Sequence, residues 1–128
     1  MMEEKKYKAK ILIADDEQTI RDLLKRFFTE KKYGIDTAET GREAIEKLDS
    51  YKPDILLLDL KMPDMNGEEV LKYINDNDIK VGVIIITGHP GTVKDRKLLN
   101  RTYDYIVKPF DLDYLNSTVL TKVTLLLY

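Results

Sequence analysis

The sequence predicts an α/β fold, a parallel sheet of five strands with helices on both faces. Two observations carry this. Short runs of Ile, Leu and Val recur along the chain without polar alternation, the pattern of strands buried on both faces. Between them lie stretches with apolar residues at helical spacing, so that strands and helices alternate five times. A third observation concerns function: several of the runs stop at a polar residue, and open parallel sheets bind ligands at the C-terminal ends of their strands.

The elements follow in order. Lys10, Ile11, Leu12, Ile13 and Ala14 form the first strand, ending at Asp15 and Asp16. Ile20, Leu23, Leu24, Phe27 and Phe28 fall at i, i+3, i+4, i+7 and i+8 and define one apolar stripe on a first helix, with Gly34 as its expected stop. Tyr33 to Ala38 is a second strand resting mainly on Ile35. Thr40 and Glu43 read as a capping box for a second helix that buries Ala44, Ile45 and Leu48. After Pro53, Ile55 to Leu58 form the third strand, stopping at Asp59. The segment KMPDMNG (61–67) carries turn residues, and Val70, Leu71 and Ile74 mark the third helix. Val81 to Ile86 is the fourth strand, closing on Thr87 and Gly88. A short fourth helix over about 92–100 buries only Val93, Leu98 and Leu99. Tyr103 to Val107 is the fifth strand, followed by Lys108 and Pro109. The fifth helix starts near Leu112 with Asp111 as N-cap and places Leu115, Val119, Val123 and Leu126 inward.

Composition sets the limits on function. A chain of 128 residues is expected to form a single domain over 1–128, with its core at about 9–127. Its 43% hydrophobic and 34% charged residues are a globular balance. With 21 Lys and Arg against 23 Asp and Glu, the net charge of −2 argues against nucleic-acid binding by this domain, which would need a basic face. The absence of Cys removes disulfides, thiolate metal sites and thiol nucleophiles together, and fits a cytoplasmic location. No apolar run is long enough to span a membrane, and the charged start MMEEKKYKAK lacks the apolar stretch of a signal peptide.

If the strands are parallel, Asp15, Asp16, Asp59, Thr87 and Lys108 converge on one rim. Three clustered carboxylates raise one another's pKa unless a cation sits among them, and a hard cation with oxygen ligands, Mg²⁺, suits the set. With Lys108 as a second positive charge and Thr87 as a donor, the constellation suits phosphoryl transfer onto Asp59 as nucleophile.

The segments ILIADDE (11–17), LLLDLKMPDMNG (56–67), IIITG (84–88) and DYIVKPF (104–110), in this order, closely resemble the receiver domains of two-component response regulators. The resemblance implies a doubly wound, flavodoxin-like sheet of order 2-1-3-4-5. It also implies a Mg²⁺-dependent phosphoaspartate at Asp59, the phosphoryl group coming from a sensor histidine kinase or a histidine phosphotransfer protein. By position, Asp16 and Asp59 would hold the metal directly, Asp15 through water, and the Lys61 carbonyl would complete the protein ligands. Thr87 and Lys108 would grip the phosphoryl group, the Lys108–Pro109 bond would be cis, and Tyr105 matches the aromatic switch position. Tyr105 also fits an ordinary half-buried strand aromatic. Phosphorylation would then change the surface of the fourth helix, fifth strand and fifth helix for a downstream effector or effector domain.

The chain departs from the family at Gly88 and at Arg101 and Thr102, on the expected output side, which leaves partner identity open. His89, the one histidine, reads as a solvated loop residue or, with Lys61, as tuning water access to the phosphoaspartate. Met62 and Met65 read as loop packing, and VTLLLY (123–128) as helix docking or a patch for a partner. Two other functions compete. An aspartyl-nucleophile phosphatase would place its acids as DxD after the first strand, unlike Asp15-Asp16; a receiver-like binding module that is never phosphorylated would not need the acidic set.

Overall fold

The computed structural model describes residues 7–88 and 102–127. Strands β1 (Lys10–Ala14), β2 (Gly34–Ala38), β3 (Ile55–Asp59), β4 (Gly82–Thr87) and β5 (Thr102–Val107) form one sheet of order β2-β1-β3-β4-β5. Every pairing is parallel. Helices α1 (Gln18–Glu30), α2 (Gly41–Ser50) and α3 (Gly67–Asp76) connect the first four strands. The predicted fourth helix, with His89 and Arg101, lies outside the described residues.

Because the central strands are apolar on both faces, the sheet supports two cores. One joins Ile11, Ile13, Ile55, Leu57, Ile84 and Ile106 to Leu24, Phe27 and Phe28 of α1 and to the C-terminal helix. The other joins Leu12, Leu56, Leu58, Val83 and Ile85 to Ala44 and Leu48 of α2 and to Val70, Leu71 and Ile74 of α3. This is the doubly wound arrangement, with α1 and the C-terminal helix on one face and α2 and α3 on the other.

The C-terminal helix is composite: Leu112–Tyr114 is α-helical, Leu115–Val119 is a π-helical turn and Leu120–Leu127 is α-helical again. Asp111 caps it, its Oδ1 accepting from the Tyr114 amide at 2.7 Å. The π turn, wider than an α turn, keeps residues four apart on one face, and Leu115, Val119 and Val123 are all fully buried. Of the apolar tail, Leu126 and Leu127 pack against the first core while Leu125 stays exposed.

Several local expectations change. Gly34 does not end α1. The helix stops where Lys32 takes a left-handed φ of 74° and the Tyr33 amide bonds back to the Phe28 carbonyl. Gly34 instead opens β2, where a Cβ would crowd the ring of Tyr7 and the hydroxyl of Tyr51. α2 and α3 end the same way, on Lys52 (φ 54°) and Asp78 (φ 49°), positions that favour glycine and carry none here. Leu23 is exposed, and Arg21 takes the buried place beside Leu24 and Phe28. In the α2 capping box Thr40 accepts from the Glu43 amide as expected, but the Glu43 carboxylate accepts from Glu39 rather than from Thr40.

Candidate functional site

The parallel strands bring the C-terminal ends of β1, β3, β4 and β5 to one rim. β1 runs into Asp15, β3 ends in Asp59 and β4 ends in Thr87, and all three of these polar residues are buried. Lys108 follows β5, and its amide bonds to the Thr87 carbonyl at 2.9 Å, so the two strand ends are tied by main chain. The Lys108–Pro109 peptide is cis.

The Lys108 ammonium is the hub of the site. Its Nζ lies 2.8 Å from Glu17 Oε1, 2.9 Å from Asp15 Oδ2 and 3.3 Å from Asp59 Oδ2. Asp15 Oδ2 has that ion contact and no aligned hydrogen bond, although it is sealed from solvent. Asp15 Oδ1 accepts from the Glu17 amide at 2.9 Å, and Asp59 Oδ1 accepts from the Lys61 amide at 3.1 Å. Asp16, Glu17, Asp59, Lys61, Gly88 and Lys108 line an open cleft of about 300 Å³.

Charge and burial oppose each other here. Burial raises the Asp59 carboxyl from 3.8 to about 6; the Lys61 amide works against that, the Asp15 charge adds to it, and Lys108 lowers it again. Burial alone would lower the Lys108 ammonium, but hydrogen bonding to Glu17, the contact with Asp15 and the charges of Asp15 and Asp59 outweigh it and raise its pKa. At neutral pH the site therefore holds an ionised Asp59 carboxylate beside a cationic Lys108.

The donor set also fits a divalent cation. Carboxylate oxygens of Asp15, Asp16 and Glu17 lie within 4.8 Å of one another, and the sealed Asp15 Oδ2 has the Lys108 ion contact but no aligned hydrogen-bond donor. Hard oxygen donors of this kind suit Mg²⁺.

A family model described as the response regulator receiver domain matches residues 11–120. The chain belongs to this family. It is a receiver domain of two-component response regulators, and its order-2-1-3-4-5 sheet is the receiver fold. Among its relatives, it is 37% identical to sporulation initiation phosphotransferase F of Bacillus subtilis, over 86% of this chain and 90% of that one. It is 34% identical to the regulatory protein AtoC of Escherichia coli over 86% of this chain. There it spans only 24% of the relative's length, and 42% of the transcriptional regulatory protein TrcR of Mycobacterium tuberculosis. Among solved structures, the signal receiver domain of a Luxo repressor protein from Vibrio parahaemolyticus superposes with a TM-score of 0.79 at 35% identity, covering 92% of each chain. The response regulator protein TrrA of Thermotoga maritima, in complex with Mg²⁺ and BeF, superposes with a TM-score of 0.75 at 36% identity, covering 88% of this chain and 97% of that one.

Within this receiver the sequence-predicted residues fall into two groups. Asp15, Asp59 and Lys108 touch, Asp16 and Lys61 share their cleft, and Thr87 closes the neighbouring strand end. Tyr105 stands apart, half-buried on β5 against the second core, with its carbonyl accepting from Lys122 of the C-terminal helix at 2.7 Å. Lys122 also pairs with Asp104 at 2.8 Å, which fastens the C-terminal helix to this edge strand. Met62 and Met65 pack against the same core.

Sequence reasoning missed two residues that shape the pocket. Glu17, the last residue of the ILIADDE segment, makes the shortest contact to Lys108. Arg21, buried, donates from Nη1 to the Asp15 carbonyl at 2.8 Å and from Nη2 to Glu39 at 3.3 Å, holding the loop that carries the acid pair. Its spacing of three and seven from Leu24 and Phe28 was the available signal. Among the described residues no helix is long and apolar enough to cross a membrane.

Proposed function

We propose that this receiver is a phosphorylation-controlled switch that accepts a phosphoryl group on Asp59 from a sensor histidine kinase or a histidine phosphotransfer protein. The observation that carries the reading is the triple contact of Lys108 with Asp15, Glu17 and Asp59 at the strand ends. A lysine so placed neutralises the acceptor before transfer and is positioned to neutralise the phosphoryl oxygens after it.

In the transfer an Asp59 oxygen attacks phosphorus, the phosphorus–nitrogen bond of the donor phosphohistidine breaks, and the imidazole keeps the electron pair and takes a proton from solvent. Asp15, Asp16, Asp59 and the Lys61 carbonyl would hold Mg²⁺, whose chemistry is to neutralise charge on the transferring group. Thr87 donates its hydroxyl to a phosphoryl oxygen, and Lys108 exchanges its carboxylate contacts for the new dianion. The loss of Asp59's bare charge and the pull on Thr87 favour a second conformation in which Tyr105 turns inward and the face including β5 and the C-terminal helix changes. That face would engage a downstream effector or effector domain. The receiver would occupy 1–128 as a single domain, act in the cytoplasm and bind no nucleic acid itself.

Beryllofluoride with Mg²⁺ tests the reading. Backbone resonances of residues 59–61, 87–88 and 105–108 should shift together in the wild type and stay fixed in Asp59→Ala. A wild-type spectrum that ignores the reagent would overturn the assignment.

A further inference from the structure

The loop between Asp59 and α3 carries the Lys61 main chain, and one of its residues ties it to a different helix. Asp64, exposed and outside the cleft, accepts from the Gly41 amide through Oδ1 at 2.8 Å and from the Arg42 amide through Oδ2 at 2.9 Å. These amides are among the unpaired donors at the start of α2, and the carboxylate also faces the positive end of that helix. The Arg42 amide, followed by that of Gly41, holds the Asp64 carboxyl below its ordinary range. The next side chain, Met65, lies over Gly41 and occupies the space a Cβ would need there.

α2 already has its cap in Thr40, whose hydroxyl takes the Glu43 amide at 3.1 Å. The Asp64 contact is therefore more informative about the loop than about the helix. The loop is pinned a second time at Gly67, whose amide bonds to the Leu60 carbonyl at 2.8 Å and where an added Cβ would run into the Leu60 and Asp59 backbone. Lys61 lies between Leu60, held by the Gly67 amide, and Asp64, held by α2. Its amide reaches Asp59 Oδ1 at 3.1 Å, near the long end of a good hydrogen bond, so a small shift of the loop would break it.

We propose that Asp64 is a positioning residue of the acidic pocket: by clasping the start of α2 it fixes the Lys61 main chain, keeping its amide on Asp59 and its carbonyl available to a cation. The part that concerns the cation rests on the metal site proposed above. The clasp acts through backbone geometry and puts no charge of its own into the cleft.

Two substitutions in the full chain separate this role from plain helix capping. Asp64→Ala removes the clasp, whereas Thr40→Ala removes a cap from the same helix and leaves the 61–67 loop untouched. Lys61 amide exchange is followed without metal, and Mg²⁺ affinity is followed by resonance titration. Asp64→Ala should speed Lys61 exchange several-fold and raise the Mg²⁺ Kd about three- to tenfold, somewhat less than the ~10–100-fold typical of direct outer-shell partners because it acts only through the loop backbone. Thr40→Ala should change neither, although both substitutions lower Tm. Wild-type exchange and affinity in Asp64→Ala would overturn the proposal, as would equal weakening by Thr40→Ala. A wild type that binds no Mg²⁺ would remove the metal site instead, and the Lys61 exchange comparison would still decide the clasp.

Discussion

Asp59→Asn should make the metal-free domain more stable. In the fold the Asp59 carboxyl titrates near 6 rather than 3.8, so the native state holds its proton more tightly than the unfolded chain does. A raised acid pKa means that stability is lost as pH climbs from about 4 to about 6 and stays lost above that. At ~1.4 kcal/mol per pKa unit the full penalty is about 3 kcal/mol. The cleft opens to solvent, which screens part of this and leaves about 1–2 kcal/mol. Asn keeps the shape and an acceptor for the Lys61 amide. The Lys108 contact it weakens is the longest of three, at 3.3 Å against 2.8 and 2.9 Å. For a domain of this size the gain corresponds to a Tm increase of about 4–7 °C. Thermal melts of both proteins in EDTA between pH 4 and 8 provide the assay. The gap should be full above pH 6, close as pH falls towards 4, and shrink when Mg²⁺ is added at pH 7.5. An Asn variant less stable than wild type at neutral pH, or a gap that does not vary with pH, refutes the reasoning.

Other substitutions probe neighbouring parts of the site. Lys108→Ala leaves Asp15 buried beside Asp59 with no cation, and should cost about 3 kcal/mol in urea unfolding at pH 7.5, with partial recovery in Mg²⁺. Gly67→Ala would place a Cβ 2.8 Å from Leu60 Cα and 2.9 Å from the Asp59 carbonyl oxygen, neither of which can swing away. It should destabilise by about 1–3 kcal/mol and, by pushing on the Asp59 backbone, weaken Mg²⁺ binding measured by resonance titration.

The sheet was legible because its signal is redundant. Ile11 to Ala14 and Ile55 to Leu58 are buried on both faces, so an unbroken apolar run can mean little else in a chain this short. The residues at the ends of those runs were legible for the same reason, since parallel strands deliver Asp15, Asp59 and Thr87 to one rim whatever the loops do. Helix ends were less readable. Lys32, Lys52 and Asp78 take left-handed conformations without being glycine, which tertiary packing imposes and local propensity does not announce. Arg21 and Glu17 were missed for a related reason. Arg21 is buried because a main-chain carbonyl needs a donor there, and Glu17 matters because Lys108 lies 91 residues away in sequence and 2.8 Å away in space. Asp64 carries no signal of its own within the 61–67 turn segment, and its bonds to Gly41 and Arg42 exist only once α2 has been placed against the loop.

Intact-mass measurement after incubation with acetyl phosphate tests whether Asp59 is the phosphoryl acceptor of a Mg²⁺-loaded pocket. Wild-type protein with Mg²⁺ should gain the mass of one phosphoryl group, lose it by hydrolysis over time, and gain nothing when EDTA is present from the start. Asp59→Asn should gain nothing under any of these conditions. An equal gain in Asp59→Asn, or a wild type that stays unmodified with Mg²⁺ and acetyl phosphate, would contradict the account.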